Sequence, residues 1–379
     1  MRRLARVGAV GAALCLLTAC TAPAAEPTPT PTPTPTAEFD DAALQAALDD
    51  TREEAEFPGV VARVITADGT WDGASGASAP GGDVLPAASD HTRIGSITKT
   101  MTATLLLQLV QEGEVDLDDP VSKYIPDLPG GEATLRQAAD MTSGIPSYTL
   151  DDELVDEYLA DPQRSWTIAE LLDAVRTLWP SFEPGAGWEY SNSNYVALGA
   201  IIEQVTGEPL ADVFEERLFE PLGMDDSSYP TTNELPKPYL SGETMQGSPD
   251  GEPLDATHFD PSFTSSAGQA ISTLDDLELW AHALFTGEGI LDEKTQELRR
   301  DSILTSPPPN TPTSGYGIGI GNRNGWWGHT GELPGYNTAI YHSYDLDTTI
   351  IVVVNSDISL ETGVAPAAAV LTALQDALR

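Results

Sequence analysis

Residues 326–355 read WWGHTGELPGYNTAIYHSYDLDTTIIVVVN. Three runs rich in β-branched and aromatic residues, 326–330, 336–343 and 348–355, follow one another across short turns, the last at residues 345–347. That spacing predicts three strands in succession, each antiparallel to the one before. Residues 365–378, dense in alanine and leucine, predict a closing helix. The other end of the chain offers a matching set. Residues 40–56 carry Ala43, Leu44, Ala47 and Leu48 at helical spacing and stop before Pro58-Gly59. Residues 60–66 are a β-branched run, and Asp68-Gly69 turns it into a second strand around Trp71. Strands joined by short turns, with a helix at each end to cover one face, predict an α+β fold: an antiparallel sheet flanked by N- and C-terminal helices. Between the two ends the chain reads as mainly helical, with segments at 97–112, 168–178, 195–205 and 273–285. A sheet lobe from residues 39–95 and 306–379, with a helical lobe of residues 96–305 inserted, is the expected organisation of a 39–379 domain.

The first 38 residues have a different character. Arg2, Arg3 and Arg6 precede a short apolar stretch over residues 7–19, too short to span a bilayer core of about 30 Å. This is the pattern of a signal peptide, residues 1–19. Its end, Leu17-Thr18-Ala19-Cys20, resembles a bacterial lipobox, which implies lipid attachment at Cys20 and an anchor on the outer face of the cell membrane. The Pro-Thr repeat over residues 27–36 favours polyproline II, so residues 20–38 read as a lipidated linker with a stalk of roughly 30 Å. Cys15 and Cys20 are the only cysteines, so the domain itself offers no disulfide and no cysteine metal site.

Charge narrows the function classes. Eighteen Lys plus Arg against 59 Asp plus Glu give a net −41, which repels nucleic acid and anionic lipid alike. Membrane contact is expected only through the N-terminal lipid, and the domain is expected to be a monomer. His91, His258, His282 and His342 show no metal-ligand spacing, and no metal or organic cofactor is expected.

Three short motifs carry chemistry. In Ser96-Ile97-Thr98-Lys99 the serine and lysine share one helical face, so Lys99 lies one turn below the Ser96 hydroxyl. A serine hydroxyl is a poor nucleophile until a neighbour draws off its proton, and a partly desolvated lysine can do that. In Tyr190-Ser191-Asn192 the phenol can shuttle a proton, with its pKa lowered by Lys99, while the Asn192 amide can orient a substrate and hold Lys99. In His329-Thr330-Gly331 the glycine leaves a strand face open for a substrate backbone, Thr330 supplies a hydroxyl, and His329 a proton donor or switchable charge. Each also fits a blander role: a helix start, an Asn-stabilised turn, a structural histidine. Their occurrence once each, in order, on the elements their roles need, favours the chemical reading. Trp188 fits either a cleft wall or the core.

Together these residues resemble the three signature elements of penicillin-recognising serine hydrolases, the group that holds class C β-lactamases, serine D-alanyl-D-alanine carboxypeptidases and related esterases. The resemblance spans roughly residues 40–379 and extends to Met141-Thr142-Ser143-Gly144-Ile145 and to Pro334-Gly335-Tyr336. It implies a sandwich lobe beside a helical lobe with the site between them. It implies acylation and deacylation of Ser96, proton work shared by Lys99 and Tyr190, and an oxyanion hole of the Ser96 and Glu332 backbone N–H groups. Histidine at 329, where β-lactamases of this architecture mostly carry lysine, is similar to the peptidase and esterase members. A neutral imidazole holds a carboxylate weakly, so recognition is expected to fade above about pH 6.5, with Arg323 a possible helper. The expected activity is that of a D-alanyl-D-alanine carboxypeptidase-like hydrolase on cell-wall peptides, with an esterase or β-lactamase as the alternative. A small peptide, ester or β-lactam is the expected substrate and peptidoglycan the expected partner.

Overall fold

The Asp40 carboxylate accepts the Ala43 amide and so opens helix α1, Asp41–Ala55, in the computed structural model, which describes residues 40–379. The signal segment, the linker and the lipid site Cys20 lie outside the described residues. Glu56 ends α1 in the left-handed conformation, φ 56°, and the chain enters strand β1, Gly59–Thr66. A tight turn leads back along β2, Gly69–Gly76. The remaining strands of the sheet come from the other end of the chain: β3 Ser314–Tyr316, β4 Gly321–Arg323, β5 Trp326–Leu333, β6 Tyr336–Ser343 and β7 Thr348–Val354. Their order is β2-β1-β7-β6-β5-β4-β3, every neighbour antiparallel, and Val60 opposite Val354 joins the two ends of the chain.

Alternation along the strands divides the core in two. Val60, Ala62 and Val64 of β1 face α1 and the terminal helix Pro366–Ala377, where they pack with Leu44, Leu48, Val352, Val370 and Leu374. Val61, Ile340, Ile351 and Val353 face the other way, into the larger helical core that includes Ile97, Met101 and Leu105. Burial of each such side chain is worth about 1.5–3 kcal/mol before conformational entropy is set against it. Arg63, also on that face, is bracketed by Asp72 at 2.6 Å, Asp275 at 2.9 Å and Glu278 at 2.5 Å, and so ties helix Leu274–Thr286 to the sheet.

Helix α2, Ile97–Glu112, runs through the centre, and every residue from Ile97 to Leu109 is buried. Its threonines are therefore obliged to find partners. Thr102 Oγ1 donates to the Ser266 carbonyl, Thr98 accepts the Ala270 amide, and Thr100 accepts the Trp280 indole N–H. These bonds fix α2 against helix Leu274–Thr286 and the 265–270 segment, which leaves its N-terminus rigid beside the sheet. The expected fold class is the observed one. Its edges differ in three places: β5 runs on to Leu333, the helix expected from 195 begins at Asn192, and β3 and β4 extend the sheet beyond the expected strands. Among the described residues no helix is long and apolar enough to cross a membrane.

Candidate active site

Serine at a helix N-cap ordinarily turns its hydroxyl onto the first amides. Ser96 precedes α2 but makes no such bond; its Oγ lies 2.8 Å from Lys99 Nζ. The amine also donates to the Ala267 carbonyl at 2.7 Å and sits over the Tyr190 ring at 4.8 Å. Lys99 is fully buried, with no carboxylate paired to it among the described residues. Burial alone drives its pKa well below the ordinary lysine value. A neutral amine at this distance has a lone pair to take the Ser96 proton. The sequence expected partial desolvation; the burial is complete.

Tyr190 reaches the same point from the loop before helix Asn192–Thr206, its ring edge-on to Tyr316 at 6.1 Å. Its phenol oxygen is buried without a hydrogen-bond partner among the described residues. Burial raises its pKa well above the ordinary tyrosine range, and the nearby Ser96 hydroxyl offsets only part of that rise. The expected lowering by Lys99 is thus corrected: an uncharged amine gives a phenolate nothing to pair with. The expected hold of Asn192 on Lys99 is corrected too. Its Nδ2 donates to Thr149 Oγ1 at 3.0 Å, not toward Lys99, and its backbone N–H donates to Ser147 Oγ at 3.2 Å. Trp188 is half-buried and lines the cleft.

The third motif lies on β5. His329 is 6% exposed, with Nδ1 2.5 Å from the Thr330 carbonyl and Nε2 3.0 Å from the Tyr316 hydroxyl. Both ring nitrogens are thereby engaged, Nδ1–H donating and Nε2 accepting. Burial is the main reason its pKa falls to about 3. The expected switchable charge is therefore absent at physiological pH, and the neutral imidazole links β5 to Tyr316 of β3 where it lines the cleft. Gly331 also has a different reason from the one expected. A Cβ there would meet the Ile94 carbonyl oxygen at 2.0 Å, so only glycine lets the Ile94–Gly95 backbone lie against β5. Gly95, at φ +52°, completes the approach: a Cβ on it would meet the Glu332 nitrogen at 2.5 Å. The backbone of Glu332 is thus brought beside the residue preceding Ser96, where two N–H groups can face one developing oxyanion.

Beyond Gly328 the edge of β5 is no longer paired to β4, and Thr330 and Glu332 open onto a cavity of about 490 Å³. Ser96, Trp188, Tyr190, Tyr316 and Arg323 complete its wall. Arg323 is exposed there and has no ion-pair partner among the described residues. A second cavity, about 220 Å³, lies on the Asn192 side and is walled by Tyr158, Phe263 and Leu333, with Glu332 on its border. Sequence reasoning missed Tyr316 and Thr149, each far in sequence from the residue it supports. Among the described residues no three His, Cys, Asp or Glu side chains converge as a metal would require.

This arrangement can activate a serine, hold an oxyanion and return a proton to a leaving group, and known proteins share the scaffold. A D-stereospecific amidohydrolase from Streptomyces sp. is 32% identical, with a TM-score of 0.77 over 88% of this chain and 98% of its own. The D-amino acid amidase of Ochrobactrum anthropi SV3 is 29% identical, with a TM-score of 0.77 over 89% and 99%. PbpX of Bacillus subtilis (strain 168) is 29% identical over 267 residues, 70% of this chain and 61% of PbpX, so the chain spans about three fifths of that relative's length. The Beta-lactamase family model matches residues 44–375, nearly all of the domain, and the chain belongs to that family.

Proposed function

We propose that this serine hydrolase cleaves short peptides and amides of D-amino acids through a Ser96 acyl-enzyme, in the manner of a D-alanyl-D-alanine carboxypeptidase. Neutral Lys99 takes the Ser96 proton as Oγ attacks the carbonyl carbon. The N–H groups of Ser96 and Glu332 receive the oxyanion, each worth about 3 kcal/mol in the transition state. Tyr190, a protonated phenol, gives its proton to the departing nitrogen and regains one from the Lys99 ammonium. Water then attacks the acyl carbon and the same proton path runs backward. The Cys20 lipid places this activity at the outer face of the cell membrane, within reach of peptidoglycan.

The observation that carries the peptidase reading is the roughly 490 Å³ cavity on the His329 side, far larger than an ammonia leaving group needs and bordered by the Arg323 guanidinium, which has no ion-pair partner among the described residues. A leaving amino acid with its carboxylate at Arg323 fills that description. The D-amino-acid preference rests on the two solved relatives, whose names describe D-stereospecific and D-amino acid amide hydrolysis. Intact mass after exposure to penicillin is expected to show one acyl adduct, absent in Ser96→Ala. D-Alanine release from D-alanyl-D-alanine peptides is expected to exceed hydrolysis of p-nitrophenyl esters. Labelling of Ser96→Ala would remove the nucleophile from this account, and ester turnover without D-alanine release would make the protein an esterase.

A further inference from the structure

Three glycines line the larger cavity: Gly315 of β3, Gly321 of β4 and Gly328 of β5. Packing accounts for two of them. A Cβ on Gly315 would collide with the Leu304 carbonyl oxygen, and one on Gly328 with that of Ile340. Gly321 is different. A Cβ there would meet nothing nearer than the Gly328 carbonyl oxygen at 3.5 Å, the Gly315 carbonyl oxygen at 3.6 Å and the Tyr316 ring at 3.7 Å, which are ordinary van der Waals distances. Its backbone also lies outside the left-handed region. Neither sterics nor conformation calls for glycine at this position, and glycine weakens a strand. What the missing side chain leaves is space in the cavity.

That space adjoins aromatic walls. Tyr316 meets the Trp188 ring at 6.0 Å and 65° and the Tyr190 ring at 6.1 Å and 82°, both edge-on, and Tyr341 adds a fourth ring to the lining. The reaction determines what comes to lie there. In the proposed mechanism Tyr190 protonates the departing nitrogen, so the leaving residue's α-carbon, one bond further on, is set down beside the neighbouring Tyr316 ring. Gly321 and Arg323 are two residues apart on β4 and share a face. A carboxylate taken up at Arg323 therefore leaves the side chain of the same residue against Gly321 and the rings. D-Alanine would put a single methyl group into a cavity of about 490 Å³. An aromatic side chain fills far more of it, and extends the edge-to-face contacts that Trp188, Tyr190 and Tyr316 already make among themselves.

We propose that this cavity is a subsite for the side chain of the leaving residue, that it takes a large aromatic one such as that of D-phenylalanine in preference to D-alanine, and that Gly321 sets the preference by keeping it open. This rests on the D-peptidase reading above and names its leaving group. The bond broken is the same amide C–N bond: water supplies the hydroxyl of the acyl product, and the aromatic amino acid departs with the proton on its nitrogen. Burial of a phenyl ring in place of a methyl group is worth about tenfold or more in kcat/KM.

The test follows release of the free amino acid from D-alanyl-D-phenylalanine, D-alanyl-D-cyclohexylalanine and D-alanyl-D-alanine by wild type, Gly321→Ala and Gly321→Val, using ratios of kcat/KM so that each variant is its own control for folding. Wild type is expected to favour D-phenylalanine over D-alanine by about tenfold or more, with the cyclohexyl compound between them because it fills the same space without a π face. The preference is expected to shrink through Gly321→Ala to Gly321→Val, where it falls by about tenfold as the added methyl groups occupy the place of the ring. Wild type releasing D-alanine as readily as D-phenylalanine overturns the inference, as does an undiminished preference in Gly321→Val. A cyclohexyl group equal to phenyl overturns its aromatic part. The peptidase reading survives each of these results, since D-alanine is still released. Release of no amino acid from any of the three substrates removes both.

Discussion

Lys99 sets the pH behaviour of the site. Its folded pKa is depressed, so below that value both folded and unfolded chains carry the charge, and the native state bears the whole desolvation cost. As pH rises past the folded value the native state sheds the proton first, and stability climbs until the ordinary lysine value of 10.5 is reached. Lys99→Met is therefore expected to be inactive yet to gain thermal stability over wild type at pH 5, with the gain shrinking toward pH 9. A constant difference in melting temperature across that range would show that Lys99 is not titrating out of its ordinary range. The activity profile follows the same logic. Its acid limb reports Lys99, and no inflection from His329 is expected between pH 5 and 8, because that imidazole is already neutral. Tyr316→Phe leaves the His329 Nε2 acceptor unpaired in the core and is expected to cost about 1–3 kcal/mol by urea unfolding, without adding such an inflection. Ser96, Lys99 and Tyr190 were legible because their relation is local or carried by a compact motif. The state of His329 was not: Tyr316, whose hydroxyl occupies its Nε2, arrives from a different strand.

At the scale of elements, the site depends on how closely the start of α2 approaches β5. The Thr338 hydroxyl donates to the Ile94 carbonyl at 2.9 Å, and glycine at 95 and 331 spares the two backbones a Cβ that would collide with the facing chain. Gly331→Ala pushes a methyl into the Ile94 carbonyl, and Gly95→Ala adds strain at φ +52° to a clash with the Glu332 nitrogen. Overpacking of this kind costs about 1–3 kcal/mol. Both variants are expected to lower kcat about a hundredfold through the displaced oxyanion donors, while urea midpoints fall only modestly. Full retention of kcat in both would mean that the Glu332 amide does not serve the oxyanion. The strands on either side of this contact show what a single chain discloses. β6 and β7 are long β-branched runs, readable by composition. β3 and β4 are three residues each, contain glycine, and pair only because the sheet edge is already in place. The glycine of the third motif stood out in the sequence, but its reason, the carbonyl of Ile94, is more than two hundred residues away.

For the whole molecule, the net charge of −41 acts before any contact is made. Screened fields reach about 10 Å at 0.1 M salt, so at low ionic strength an approaching anion meets the acidic surface well before it can feel Arg323 within the cavity. A cation meets attraction over the same distance. Three substrates that share a D-alanyl core but differ in charge separate these effects: cationic D-alanine amide, zwitterionic D-alanyl-D-alanine and anionic N-acetyl-D-alanyl-D-alanine. Between 10 and 300 mM sodium chloride, kcat/KM is expected to fall severalfold for the amide, stay nearly level for the dipeptide and rise severalfold for the N-acetyl compound. Arg323→Gln is expected to lower kcat/KM for both carboxylate-bearing substrates at every salt concentration, but to leave the salt slopes in place, because those belong to the surface as a whole. A common slope for all three substrates would show that the surface charge does not steer them, and a change of slope in Arg323→Gln would assign the steering to that single guanidinium.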